Sequence, residues 1–430
     1  MLKAGFARVD VTPPLGSYIS GYFADRYAKG VLDPLQLNAI ALFDGKTTNL
    51  IVTSDFLGVD RKYCEKIRNK IAERIKIDTA HIMLSALHQH TSIYVGSRKE
   101  QETYGFAYME MLYSRYCDVA QMALDDMSDA TLGFAMEETA EPIAFIRRYL
   151  MTDGTIIGHP FGRQSEIVRR LGDADNRVRL LRFFREGKKD IAFVNFCTHP
   201  DVIGGEYISA DWPGFVRSYV EKDIENVFCI LLNGVQGDSN HNDYIGGRRH
   251  GYEHSARMGR IIADVVVKIW ERTAPQTDVS LGYGVRDVVL PTRTDGIERY
   301  EECKALLKAT FEGSIPRPSG AQLGDANRVV ELRTAPAFQQ LPVTVMRLGQ
   351  ICIVGFGGEP FTHYGTAVEE ACPELTVLTS CLCNGCEGYL PTPEIFAEGG
   401  YEASSSPYPT CLEEECIKTA MDLIGELYRV

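Results

Sequence analysis

The chain has 430 residues, a net charge of −13 and 45% apolar residues. That length allows two or three domains or one large α/β unit, and the apolar content suffices for a large buried core. The acidic balance argues against non-specific nucleic-acid binding and against docking on an anionic membrane, and no segment approaches the roughly 20 apolar residues of a membrane span.

Taken in chain order, the start Met1-Leu2-Lys3-Ala4-Gly5-Phe6 lacks the apolar stretch of a secretory signal, so a cytoplasmic protein is expected. Six apolar runs then read as buried strands, each ending in polar residues. Leu50-Ile51-Val52-Thr53-Ser54 leads into Asp55, and Ile82-Met83-Leu84-Ser85-Ala86-Leu87 leads into His88-Gln89-His90. Ile191 to Phe196 leads into Cys197-Thr198-His199-Pro200-Asp201, and Val227 to Leu232 into Asn233-Gly234-Val235-Gln236-Gly237-Asp238. Ile351 to Phe356 leads into Gly357-Gly358-Glu359, and Leu375 to Thr379 leads through a glycine-containing loop to Tyr389. Periodicity predicts helices over 62–75, 108–124, 212–223, 252–270, 298–310 and 412–428. In the first of these, Ile67, Ile71 and Ile75 form an i, i+4 stripe that reads as core. A β-like stretch over 279–291 is expected at a sheet edge, and 313–323, with its prolines and glycines, reads as a loop. Strands alternating with helices define the class as α/β, a mixed and largely buried sheet flanked by helices, with no linker that divides residues 1–430 into separate domains.

The strand ends carry the chemistry. Ligand sites of open α/β sheets gather beyond the carboxyl ends of strands, and six such ends look like one rim. Polar residues follow most strands, which accounts for the aspartates but poorly for the histidines, since the chain has only 9. On extended backbone His88 and His90 would face the same way, and a convergent imidazole pair supplies half of a four-coordinate zinc shell. An isolated His-x-His is weak evidence; His199 and Glu359 at neighbouring strand ends strengthen it. The 12 cysteines, without a secretory signal, read as reduced thiols. Cys381, Cys383 and Cys386 form the one tight cluster, and it reads as a plain thiol-containing loop because no fourth ligand accompanies it.

The motifs resemble the catalytic N-terminal domain of the neutral ceramidase family. The likeness rests on Leu87-His88-Gln89-His90-Thr91-Ser92, on Gly357-Gly358-Glu359-Pro360-Phe361-Thr362, and on Tyr389-Leu390-Pro391-Thr392-Pro393-Glu394 followed twelve residues on by Tyr401-Glu402-Ala403-Ser404. It implies a zinc-dependent hydrolase of an amide (N-acyl) bond, with one Zn2+ per chain held by His88, His199, Glu359 and Tyr389. It further implies His90 as a proton-handling group, Tyr401 at the reacting carbonyl, and Arg147, with Arg148 beside it, as the cation on the oxyanion side. A zinc ion in such a shell activates water near neutral pH for attack on an acyl carbon. Asp55, Asp211 and Asp238 are candidates to orient the histidines, with a loop cap or turn residue as the alternative for each. Asn240 stands where ceramidases have a serine needed for activity, with Ser239 one residue early and expected to face away. The family's C-terminal immunoglobulin-like domain is not represented. A small-molecule or lipid-like amide is the expected substrate. A small polar amide or ester unrelated to sphingolipids is the alternative, and a non-catalytic metal- or ligand-binding descendant is a reading from another class.

Overall fold

The computed structural model describes residues 1–96 and 98–428, with 98–101 described in backbone alone. The apolar runs are too short for helices and rich in branched side chains, so they satisfy their backbone groups by pairing in sheets. Eight strands form the larger sheet: β1 (Lys3–Asp10), β2 (Gln36–Phe43), β3 (Thr48–Ser54), β4 (Ile82–Ala86), β5 (Ser128–Glu138), β6 (Arg177–Arg185), β7 (Asp190–Phe196) and β8 (Val227–Asn233). Their order is β8-β7-β6-β5-β1-β2-β3-β4. A second sheet of four strands runs β9 (Leu281–Pro291), β10 (Phe338–Leu348), β11 (Ile351–Phe356) and β12 (Thr376–Ser380), in that order. The sheet is mixed and buried as expected, and the stretch read at an edge is edge strand β9; the second sheet is an addition to that reading.

The two sheets pack face to face. Phe6, Ile40, Ile51, Phe183 and Phe193 of the larger sheet meet Met346, Ile353 and Leu378 of the smaller one. Helices cover both outer faces, giving four layers. On the larger sheet lie α1 (Arg61–Ile75) and α2 (Arg98–Asp125), then α3 (Asp211–Asp223) and α4 (Tyr252–Ile269). Met258, Ile262, Val266 and Ile269 of α4 recur every three or four residues and are all buried, and each such side chain contributes about 1.5–3 kcal/mol. In α1, Ile67 and Ile71 are buried while Ile75 packs partly exposed at the helix end. A helix pair, α5 (Tyr300–Phe311) and α6 (Gly320–Glu331), precedes α7 (Thr362–Ala371) and α8 (Leu412–Tyr428), which cover the smaller sheet through Tyr364, Val368, Leu423 and Ile424.

One expectation fails here. The stretch 313–323 is a loop only in its first part, because α6 begins at Gly320. Ser319 Oγ accepts from the Gln322 amide at 3.3 Å, and Gln322 Oε1 accepts from the Ser319 amide at 2.9 Å. This reciprocal cap satisfies two donors of the first turn and starts the helix despite the nearby prolines.

Strand direction explains the rim. The six runs singled out in the sequence are β3, β4, β7, β8, β11 and β12, and they pair in parallel as β3 with β4, β7 with β8, and β11 with β12. Parallel partners end on the same side. Hydrogen bonds tie the three ends together: Leu87 N to Ser54 O at 2.9 Å, Asn233 Nδ2 to Leu87 O at 3.0 Å, and Cys381 N to Asn233 O at 3.0 Å.

Candidate metal centre

His88, His90 and His199 meet at this rim, buried, with ring nitrogens within 4.8 Å of one another. His88 Nε2 and His90 Nε2 are 3.2 Å apart. The convergence does not come from strand alternation, since β4 stops at Ala86 and His88 has φ +79°. A non-glycine residue in that left-handed region is strained, and surrounding bonds must hold it. His88 N donates to Phe56 O at 2.9 Å, His90 N donates to Pro200 O at 3.1 Å, and the Gln89 side chain between them donates to Asp55 at 3.1 Å.

Both imidazoles expected to bind metal have their tautomer set by the backbone. His88 Nδ1 lies 2.6 Å from Leu57 O, and His199 Nδ1 lies 2.8 Å from Gln236 O and 3.0 Å from Ser239 O. A carbonyl can only accept, so each Nδ1 carries the proton, and in the neutral ring the lone pair lies on Nε2. These lone pairs face the Glu359 carboxylate: Oε2 is 3.3 Å from His88 Nε2 and 3.0 Å from His199 Nε2. His199 Nε2 and Glu359 Oε2 are buried without a hydrogen-bond partner. Burial and then Arg147 lower the His199 pKa to about 4, keeping that ring neutral. At His88 burial also favours the neutral ring, but Glu359 outweighs it and raises the pKa. Glu359 is held well below the ordinary carboxylate range, against its burial, by His88 and His199. Convergent buried acceptors with few donors are what a cation requires, so the residues present fit a metal ion.

Glu359 and Tyr389 are partners in a two-residue parallel ribbon, Glu359–Pro360 against Tyr389–Leu390. Tyr389 therefore enters the site beside Glu359, its ring stacked 6.4 Å from His199. Burial and Glu359 hold its phenol well above the usual range. The ribbon is clamped from behind by Gly237, whose amide donates to Pro360 O at 2.8 Å. A Cβ on Gly237 would overlap the Glu359 carbonyl oxygen, so only glycine allows this approach.

Arg147 lies in the same pocket, 5% exposed, not on the surface as an Arg-Arg pair by itself would suggest. Its Nε is 3.0 Å from Glu402 Oε1, its Nη2 donates to Gly237 O at 2.7 Å, and its guanidinium carbon lies 5.4 Å from the Tyr389 ring centre. Burial lowers its pKa, but Tyr389 and Glu402 outweigh that and hold the guanidinium charged. Arg148 points elsewhere, to Glu398. Tyr401 packs edge-on against Tyr389 with ring centres 5.5 Å apart. Asn240 is fully buried on a ribbon that pairs Ser239 with Ile146, next to Arg147. The Ser239 hydroxyl turns to Cys197 O at 3.2 Å and Thr198 Oγ1 at 3.3 Å, as expected of a residue one place early.

Of the two roles open to the aspartates, the structure does not give them that of orienting a histidine. Asp55 forms a buried two-pronged ion pair with Arg217, at 2.9 and 2.6 Å. Asp211 accepts from Val202 N, Ile203 N, Trp212 N and Ser255 Oγ, and Asp238 accepts from Thr362. Each caps a loop or pairs an arginine, and backbone carbonyls orient the histidines instead. Sequence reasoning missed the carboxylate that does reach a site histidine. Asp201 Oδ1 lies 3.6 Å from His90 Nδ1 and is bound by the Tyr22 hydroxyl. Its place two residues after His199 was the one available signal. Burial, then His88 and His199, lower the His90 pKa well below its ordinary value.

Cys381, Cys383 and Cys386 do not converge. Cys383 sits between the two sheets with Met83 and Leu378, whereas Cys381 packs with Ala86, Leu382 and Cys386. Burial raises all three thiols.

No family model matches the chain, and no curated protein matches it in sequence. Solved structures do. One described as "Ceramidase complexed with C2" is 14% identical, with a TM-score of 0.75 over 99% of this chain and 75% of that one. Neutral ceramidase from Pseudomonas aeruginosa is 14% identical, with a TM-score of 0.74 over 99% of this chain and 74% of that one. The fold is thus the mixed α/β fold of these neutral ceramidases, and at 14% identity the likeness is one of fold.

Proposed function

We propose that the protein is a zinc-dependent hydrolase that cleaves an amide (N-acyl) bond, with one Zn2+ held by His88, His199, Glu359 and Tyr389. The observation that carries this reading is the convergence of two imidazole Nε2 atoms, at 3.3 and 3.0 Å, on one buried carboxylate oxygen. The ceramidase-like fold supports the choice of an acyl–nitrogen bond over other hydrolysable bonds. Zinc, when bound, supplies Lewis acidity and positive charge at the reacting centre.

The chain's own groups do the rest. His90, neutral and 3.6 Å from Asp201, holds the position from which it takes a proton from the attacking water and passes it to the leaving amine. Arg147, charged and fixed by Glu402 and Gly237, stabilises negative charge on the acyl oxygen, a contribution of about 3–4 kcal/mol per donor in comparable sites. Tyr401 orients the carbonyl from the far side of Tyr389.

The test is metal analysis of the purified protein, followed by hydrolysis assays on N-acyl substrates of graded chain length. One zinc per chain together with amide cleavage that chelation abolishes is the expected result. Metal-independent cleavage would contradict the proposal, as would zinc binding with no turnover on any acyl substrate.

A further inference from the structure

Near the metal centre lies a basic and aromatic cluster that the proposed chemistry leaves unused. It is built on the loop Gly246-Gly247-Arg248-Arg249-His250, which stands out in a chain of net charge −13. The Arg248 guanidinium carbon lies 4.3 Å from the centre of the Phe161 ring and 5.4 Å from that of Tyr244. Phe161 stacks on His159 with ring centres 5.9 Å apart and meets Tyr244 edge-on at 5.4 Å, and His159 Nδ1 is 3.3 Å from the Tyr244 hydroxyl. Phe161 is 57% exposed while Tyr244 is buried, so the stack runs from a buried ring out to the surface. Aromatic faces hold a guanidinium flat and leave its edge available.

The loop is wired to the site. Arg248 Nε donates to Asn242 Oδ1 at 3.3 Å, and Asn242 donates to Asn240 Oδ1 through its side chain at 2.9 Å and its backbone amide at 3.0 Å. The next residue back, Ser239, supplies a carbonyl that fixes His199. The backbone donor sets the orientation of the Asn240 amide, because a backbone N–H can only meet its oxygen. Asn240 Nδ2 is then left as a donor without a partner, in a residue that is fully buried. Such a group is costly unless a ligand meets it. Among the described residues Arg248 forms no ion pair, and its hydrogen bond to Asn242 uses only Nε. Its charge is felt at the centre's edge: burial, Arg147, His199 and Arg248 together lower His159 to about 3.

We propose that the substrate carries a carboxylate, bound by Arg248 on the Phe161–Tyr244 platform, with the Asn240 amide donating to a neighbouring oxygen of the same molecule. A planar guanidinium held by its Nε and its face offers its outer N–H edge to a planar carboxylate. The inference rests on the acyl-hydrolase reading for the location of the scissile bond, but one arm of its test, ligand binding, does not depend on turnover.

Two measurements keep the two readings apart. In the first, kcat/KM is compared for N-acetylglycine and N-acetyl-β-alanine against their carboxamides, in the zinc-loaded wild type, in Arg248→Met and in Arg260→Met, a cation on the outer face of α4 paired with Asp223 and Asp264. The carboxylates are expected to be preferred, and the preference should fall at least about tenfold in Arg248→Met and persist in Arg260→Met. In the second, calorimetry follows binding of N-acetyl-β-alanine and its carboxamide to the same proteins. Selective carboxylate binding lost in Arg248→Met without hydrolysis of any probe would support the carboxylate site and count against the hydrolase. Hydrolysis with no preference for the carboxylates, or a preference unchanged in Arg248→Met, would overturn the inference. Equal affinity for the two ligands in calorimetry would overturn it as well.

Discussion

His199 Nε2 and Glu359 Oε2 face each other at 3.0 Å, and neither has a hydrogen-bond donor available to it. Because Gln236 O and Ser239 O oblige the proton to sit on Nδ1, the contact places a lone pair against a carboxylate oxygen. Two buried acceptors at that distance repel unless positive charge lies close to both. The roles proposed for the two histidines of the His-x-His segment, metal ligand and proton carrier, can be separated by substitution.

His88→Ala is expected to abolish bound zinc and activity together, because it removes a ring whose bare nitrogen faces Glu359. His90→Ala is expected to keep most of the zinc and to lose turnover. Zinc stoichiometry by mass spectrometry alongside rate assays checks both. Equal loss of metal in the two variants would mean that the roles are assigned wrongly.

The Gly237 contact gives a prediction at a residue that touches no substrate. Gly237→Ala pushes a methyl group into the Glu359 carbonyl and displaces the ribbon that carries Glu359 and Tyr389. Zinc affinity should fall by about 10–100-fold, the usual range when support for a metal ligand is disturbed. A chelator competition titration measures it, and wild-type affinity in a folded Gly237→Ala protein would show that the ribbon is not what sets the ligand.

How much of this was legible in the sequence follows from which contacts are local. Strand ends could be read from apolar runs, and because all six runs belong to parallel pairs, His88, His199, Glu359 and Tyr389 were found as one rim. The α6 start was missed because prolines outweighed the Ser319–Gln322 cap in the reading, although the cap was present in the sequence. The partners Leu57 O, Gln236 O and Ser239 O left no trace in residue type, since any residue supplies a carbonyl. Glu402 as the partner of Arg147, 255 residues away, and Arg217 as the partner of Asp55 are products of tertiary packing that no periodicity encodes. Aspartates at strand ends therefore looked like histidine partners, and the structure gives them to caps and an arginine.

The buried ion pair of Arg147 with Glu402 predicts a stability effect as well as a catalytic one. Arg147→Met leaves the Glu402 carboxylate buried at 8% exposure without its cation, a change that costs roughly 3–5 kcal/mol in comparable pairs. Arg147→Met/Glu402→Gln should recover much of the lost stability in denaturant titrations while remaining impaired in turnover. Full recovery of activity in the double variant would remove Arg147 from the reacting site.

His254 gives a pH dependence away from the metal. It lines a cavity with Glu141, Arg170, His241, Asp243, Arg249 and Arg257, its two nitrogens have no hydrogen-bond partner, and burial followed by Arg257, Arg249 and His250 lower it to about 4. A histidine depressed in the folded state favours the neutral form, so its contribution is intact above the ordinary pKa of 6.5 and is lost as pH falls from there toward 4. The effect is on the order of 1 kcal/mol once solvent screening is allowed for. His254→Gln should flatten the fall of stability between pH 6.5 and 4, and an unchanged slope in urea titrations across that window would contradict the assignment.

Zinc-edge X-ray absorption on the purified protein tests the metal centre most directly. The expected spectrum shows one zinc per chain with imidazole scattering and only nitrogen and oxygen neighbours, near 2.0–2.2 Å, and His88→Ala leaves no bound zinc to give a spectrum. A shell of sulfur neighbours near 2.3 Å, which Cys383→Ser abolishes and His88→Ala leaves intact, would place the metal on the thiol loop and contradict the centre built by His88, His199 and Glu359.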